Sequence, residues 1–269
     1  MKVTFQRVDD EYFGVEKYVR PVVEIAIKNN IFVQILCEIL NTFDTYSEHI
    51  LYDINKLLKL YETYKIGRLD ETARKDYSVF TQKVYDFYWT ILDDNFGEEI
   101  RWHNEELYRK KGLRYADKRL HRYRGILFEE LIGAMVQERF KNDTFCTGCR
   151  IYVNGKRIIS QYGKGNSFHK ETIDIAGWIN NLKYGEFYEC KVNPKRFEIQ
   201  NYQYFMKIQN TLDENNVHYI LALVSADAAE FLRVQKEYIE EQLKCTVEFE
   251  TIGREDICSI VHYTVPEIV

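Results

Sequence analysis

Proline is scarce in this chain, with three in 269 residues, and no stretch is rich in proline, glycine or serine. No flexible tether is therefore visible, and any two lobes should abut directly. Long apolar runs are missing too: none approaches the roughly 18 residues that cross a bilayer as a helix. Residues 1–10, MKVTFQRVDD, lack the apolar stretch of a secretory signal, so a cytoplasmic protein away from the membrane is expected. Net positive charge is absent, the formal total being −5. That excludes coating nucleic acid by bulk charge and leaves room for a local basic track. The histidines, His49, His103, His169, His218 and His262 among them, show no metal-binding spacing, so serine- and zinc-hydrolase readings find no anchor. Gly163-Lys164-Gly165 lacks a phosphate-loop pattern, and no ATPase, helicase or methyltransferase motif appears. Cys146 and Cys149 form a lone C-x-x-C without a second pair, which favours ordinary reduced thiols over structural zinc.

What is present divides in texture. Aromatics make up 15% of the chain, read first as core and sheet packing. Up to about residue 117, apolar residues recur at helical spacing: Val22, Val23, Ile25 and Ala26, then Ile35, Leu36, Ile39 and Leu40, then Ile50, Ile54, Leu57 and Leu58. Asp70 has N-cap character for a helix through Phe80, Val84, Phe87 and Ile91. A further helix through Ile126, Leu127, Leu131 and Val136 leads into strand signals. Asn154-Gly155 predicts a hairpin over 150–159. Strands around Asp174 and Glu189, a helix over about 196–213, a strand over 218–224 and a helix over about 227–243 follow. Strands over 246–252 and 257–263 are expected to close the chain. The expectation is an all-helical lobe, 1–117, followed by an α/β domain with a mixed sheet, 118–269.

Two strands carry charge in apolar settings: Thr172-Ile173-Asp174-Ile175 and Phe187-Tyr188-Glu189-Cys190-Lys191-Val192. Burying charge without partners is costly. Strand alternation puts Glu189 and Lys191 on one side and Cys190 on the other. If the strands pair through the 178–185 turn, Asp174 and Glu189 approach each other. Their carboxylates and the Cys190 main-chain carbonyl offer hard oxygen ligands for Mg²⁺ or Mn²⁺. With Lys191 beside them, they suit phosphodiester hydrolysis. The plainer alternative is a salt bridge between Lys191 and Glu189 on an edge strand.

Asp174 followed by Glu189-Cys190-Lys191 resembles the D…(D/E)-x-K signature of the PD-(D/E)xK, restriction-endonuclease-like nucleases. Arg124-Gly125-Ile126-Leu127-Phe128-Glu129 resembles the G-x-x-(F/L)-E of that superfamily's first core helix. Ile173 stands where the signature carries proline. The resemblance covers about residues 119–225 and implies an αβββαβ sandwich with Asp174 and Glu189 as metal ligands. It also implies that Lys191 aids attack, that Glu129 supports the metal, and that Gln203 on the following helix reaches the site.

Residues 109–124 hold Arg109, Lys110, Lys111, Arg114, Lys118, Arg119, Arg122 and Arg124 against one acid, Asp117, with tyrosines interleaved. This run is expected to contact phosphates, with Lys195 adding to it. Lys156, Arg157, Lys164 and Lys170 could extend it. The expected function is a Mg²⁺- or Mn²⁺-dependent DNA endonuclease. The resemblance implies restriction or anti-phage defence, a separate ATPase or helicase partner, and a homodimer. The alternative is a non-catalytic nucleic-acid-binding or assembly subunit on a degenerate nuclease fold.

Overall fold

The computed structural model describes residues 1–8, 16–92, 115–162 and 168–265, with side chains on the helix that begins at Tyr115 described from Arg119 onward. The chain forms two compact units, Met1–Glu11 with Ile132–Val269, and Tyr12–Leu131. The division falls inside a helix rather than before it. The first strand also belongs to the sheet unit, where the sequence placed residues 1–117 together.

The second unit is helical: α1 (Glu16–Ala26), α2 (Asn30–Thr42), α3 (Ile50–Tyr64), α4 (Glu71–Leu92) and the start of α5 (Tyr115–Gln137). Its caps follow the expected chemistry. The Asp70 carboxylate accepts from Ala73 N at 2.8 Å ahead of α4, and Asn29 Oδ1 accepts from Ile31 N at 2.9 Å ahead of α2. The apolar positions are buried as their spacing requires, from Ile35, Leu36 and Ile39 to Phe80, Val84 and Ile91. Phe32 stacks on Phe80 with ring centroids 5.1 Å apart.

The first unit is a seven-stranded mixed sheet in the order β1-β2-β6-β7-β8-β9, with β3 paired to β2. Its strands are β1 (Val3–Arg7), β2 (Thr144–Val153), β3 (Lys156–Arg157), β6 (Thr172–Ile179), β7 (Tyr184–Lys191), β8 (His218–Ser225) and β9 (Glu250–Ile252). A separate ribbon pairs β4 (Ser160–Tyr162) with β5 (Phe168–Lys170). The β1, β2, β6 and β7 neighbours run antiparallel; β7–β8 and β8–β9 run parallel, connected by α6 (Ile199–Asp213) and α7 (Ala229–Leu243). A parallel pair needs such a crossover. The Asn154-Gly155 turn forms as expected, both residues at positive φ (50° and 78°), joining β2 to β3.

Central β7 is buried on both faces, which explains its unbroken apolar character. Toward α6 and α7 the sheet packs Ala176, Trp178, Phe187, Leu221 and Leu223 against Tyr202, Phe205, Ile208, Leu212 and Leu232. On the other face Phe140 lies flat over Gly177, where an added Cβ would meet its ring at 2.4 Å.

The tail departs from expectation. Ile257–His262 is a 3-10 segment, not a strand. Ile257 and Ile260 are buried at a spacing of three rather than two, and Ser259 Oγ donates back to the Asp256 carbonyl. The preceding strand shortens to Glu250–Ile252.

Candidate active site

The β6–β7 ladder ends where the site begins. Its last pair toward the open end is Ile175 with Tyr188. Beyond it β6 continues against β2 through Ile173 and Thr172, while β7 continues against β8 through Glu189, Cys190 and Lys191. The strands therefore part. The Cys190 N–H, which would otherwise seek a ladder partner, donates to Asp174 Oδ2 at 2.7 Å. Gly148, at φ 55°, lies on β2 between the partners of Ile175 and Ile173.

Three oxygens meet at one cationic point. Lys191 Nζ lies 2.9 Å from Asp174 Oδ2, 3.0 Å from Glu189 Oε1 and 2.9 Å from the Cys190 carbonyl oxygen. A second ammonium, Lys170 Nζ, reaches Glu189 Oε1 at 3.0 Å from β5. Asn201 Nδ2 donates to the same oxygen at 2.6 Å. The amide is aimed by the start of α6. Glu198 is the N-cap, Asn201 sits three residues on, and Asn201 Oδ1 accepts from Glu198 N at 2.8 Å.

Glu189 is 1% exposed, and its other oxygen, Oε2, is buried with no hydrogen-bond partner among the described residues. A buried carboxylate oxygen left this way is expensive. Burial pushes the Glu189 carboxyl up, but Lys170 and Lys191 outweigh it and hold the group below its usual range. Burial and then the Glu189 charge push the Asp174 carboxyl up, against the two lysines and the Cys190 N–H. Two carboxylates and two ammoniums thus balance in charge, with Lys191 bridging Asp174 and Glu189 and Lys170 on Glu189 alone.

The donor set fits a hard divalent ion: two carboxylates, one of which has a buried oxygen lacking a donor, and one main-chain carbonyl. Among the described residues no group of three His, Cys, Asp or Glu side chains gathers to hold a metal, so the fit depends on the Cys190 carbonyl. Cys146 and Cys149 both lie on β2, with Cys149 buried.

Other expected residues fare unevenly. Arg119 and Arg124 are buried, and Arg124 Nε donates to the Leu40 carbonyl at 2.6 Å within the helical unit. Both were expected to contact phosphate, and both guanidiniums are buried instead of lying on an open surface. Arg122 is half-buried. Arg114 and the Lys118 side chain lie outside the described residues. Lys195 is exposed in the 3-10 turn Pro194–Arg196. Glu129 is half-buried on α5 in the helical unit, and its part in the site stays what the resemblance implies. Gln203 is half-buried with Oε1 lacking a partner among the described residues, but Asn201 is the α6 residue on Glu189.

Beside this cluster Glu171 gathers basic groups. Arg150 Nε lies 2.6 Å from it, Arg157 Nη1 3.0 Å and His169 Nε2 3.6 Å. Tyr204, three residues past Asn201 on α6, donates to the Glu171 carbonyl at 3.0 Å. Lys170, Asn201 and Glu171 were not singled out for the site by spacing alone. The one available sign was a basic and acidic cluster, 169–171, directly ahead of the Asp174 strand. No protein-family model matches the chain, and no curated protein matches it.

Proposed function

We propose that this protein is a metal-dependent nuclease that hydrolyses DNA phosphodiester bonds. The observation that carries the reading is the convergence of Asp174, Glu189 and the Cys190 carbonyl on one cationic point in the fork between β6 and β7. The buried, donor-less Glu189 Oε2 supports it. So does the element order α5, β2, β6, β7, α6, β8, which resembles the core order of the PD-(D/E)xK nucleases.

In this reading Asp174, Glu189 and the Cys190 carbonyl hold Mg²⁺ or Mn²⁺. The ion supplies charge neutralisation at phosphate and lowers the pKa of water at the site. Lys191, 26% exposed, then turns from the carboxylates to a non-bridging phosphate oxygen or to the attacking water. Lys170 keeps Glu189 ionised from the opposite side, and Asn201 fixes its rotamer. Water attacks phosphorus, the bond to the leaving deoxyribose oxygen breaks, and that oxygen takes up the proton the water gives up. Restriction or anti-phage defence, with a separate ATPase or helicase partner and a dimer cutting both strands, is the proposed setting.

The test is cleavage of plasmid DNA by purified protein with Mg²⁺, Mn²⁺ or EDTA. Cleavage should require metal. Glu189→Ala and Lys191→Ala should each lower the rate by roughly 10²–10⁴-fold. Absence of both cleavage and Mn²⁺ binding would leave the non-catalytic subunit instead.

A further inference from the structure

We infer that the β4–β5 ribbon reads an unpaired base of the DNA strand whose phosphate enters the Asp174–Glu189 site. The inference rests on the nuclease reading and adds a substrate class to it. The ribbon pairs Ser160 with Lys170, Gln161 with His169, and Tyr162 with Phe168. Its last described pair is aromatic: the Tyr162 and Phe168 rings stack with centroids 5.8 Å apart and planes 23° from parallel. Phe168 still keeps 60% of its surface exposed.

Position makes this ring more than a stray surface aromatic. Side chains alternate along a strand, so Phe168 and Lys170 project from the same face, about 7 Å apart along the ribbon. Lys170 Nζ is the group 3.0 Å from Glu189 Oε1. The exposed ring is therefore one nucleotide's reach from the proposed scissile phosphate. His169 projects the other way, toward Glu171, where Arg150 and Arg157 also converge. Two guanidiniums against one carboxylate leave this side of the ribbon positive. His169 (59% exposed) and Arg157 (38%) are open to solvent.

An exposed aromatic face on the same side of a ribbon as a lysine that reaches the site suits single-strand binding, where bases stack and phosphates meet cations. A base inside a duplex has both faces covered by its neighbours. Only a single strand or a frayed end presents a face to Phe168. Cross-strand packing against Tyr162 uses one side of the Phe168 ring and holds the ribbon together; it does not call for the other side to stay open.

The test uses the full chain and two DNAs of the same sequence, one single-stranded and one fully paired with closed ends. Binding is read by fluorescence anisotropy in Ca²⁺, and cleavage in Mn²⁺. Phe168→Ala should weaken binding and cleavage of the single strand by roughly 5- to 150-fold, the range expected for losing one stacked base. The paired DNA should be unaffected, and Phe168→Trp should restore the loss. Thermal unfolding checks the ribbon. If the alanine variant is destabilised, Phe168→Leu keeps the packing against Tyr162 without an extended π face. Loss of single-strand preference in the leucine variant supports the inference, and retention overturns it. Equal losses on both DNAs, or none, overturn the ribbon's role while cleavage by the parent protein leaves the nuclease reading standing. A parent protein that neither binds nor cuts either DNA sinks both.

Discussion

Glu186 and Glu189 stand one helical turn apart in number but on a strand, so they project from opposite faces of β7. Both are buried, at 0% and 1% exposure. Around Glu186 every demand is met. Arg139 donates to both oxygens at 2.8 and 2.6 Å, Tyr184 and Tyr188 hydroxyls donate at 2.8 and 2.5 Å, and Arg139 also reaches the Ile260 carbonyl at 2.6 Å. Around Glu189 three donors crowd one oxygen while the other has none among the described residues. The first is a closed network that holds the 3-10 tail and the end of the helix region to the sheet. The second is left short of one partner. The difference teaches that burial of a charge does not by itself mark a site; incomplete satisfaction does.

Exchanging the two roles by mutation tests this. Glu186→Ala strands a guanidinium whose side chain is 10% exposed, and we expect a loss of about 3–5 kcal/mol in urea unfolding. Cleavage per folded molecule should change little. Glu189→Ala should do the reverse. Its lysines, 16% and 26% exposed, can reach water, and the lost carboxylate carried an oxygen with no partner among the described residues, so stability should fall by less than in Glu186→Ala while cleavage is lost. Equal stability losses in the two variants would erase the contrast.

The closed network also has its own pH signature. Burial, then the Glu186 charge and the hydrogen bond to it, push the Tyr188 hydroxyl well above its usual value. A group raised on folding contributes stability that is complete below its unfolded pKa of about 10 and is lost as pH climbs toward the folded value. Tyr188→Phe should therefore flatten the alkaline decline in stability by up to about 1.4 kcal/mol per pH unit, read from urea unfolding between pH 9 and 11. An unchanged slope would mean that folding does not raise the Tyr188 hydroxyl above its unfolded value.

The smallest effect should come from Asn201→Ala. It removes one of several groups on Glu189 Oε1 and one half of the α6 capping box, worth about 1 kcal/mol. Activity should drop several-fold through turnover rather than through KM, and Asn201→Asp should not rescue it, because a carboxylate cannot donate to Glu189.

The Glu189 side of this contrast was legible in the sequence, and Glu186 was not. Alternation alone placed Glu189 and Lys191 together, with Asp174 across a short turn. Asn154-Gly155 gave the hairpin because its backbone needs positive φ. What stayed hidden depended on phase or on distant pairing. Asn201 rather than Gln203 meets Glu189 because α6 begins at the Glu198 cap; two residues along a helix turn a side chain by about 200°. Arg119 and Arg124 read as surface charge, since a basic run does not reveal which of its members a helix turns inward. Lys170 entered only as part of a basic track, because its ribbon is set by pairing with Ser160. The terminal strand over 257–263 was misread from apolar content whose spacing was that of a turn.

One feature of the topology bears on synthesis. β1 pairs Val3 with Val153 and Arg7 with Cys149, so the sheet recruits the first strand across the whole helical unit. On the ribosome that strand emerges long before its partner, by roughly 8–30 s at ordinary elongation rates. The helical unit can collapse on its own local contacts in that interval, while the fork between β6 and β7 must wait for β8, made later still. A nascent chain therefore holds the Asp174 and Glu189 strands without their parallel neighbour until β8 (His218–Ser225) has left the ribosome.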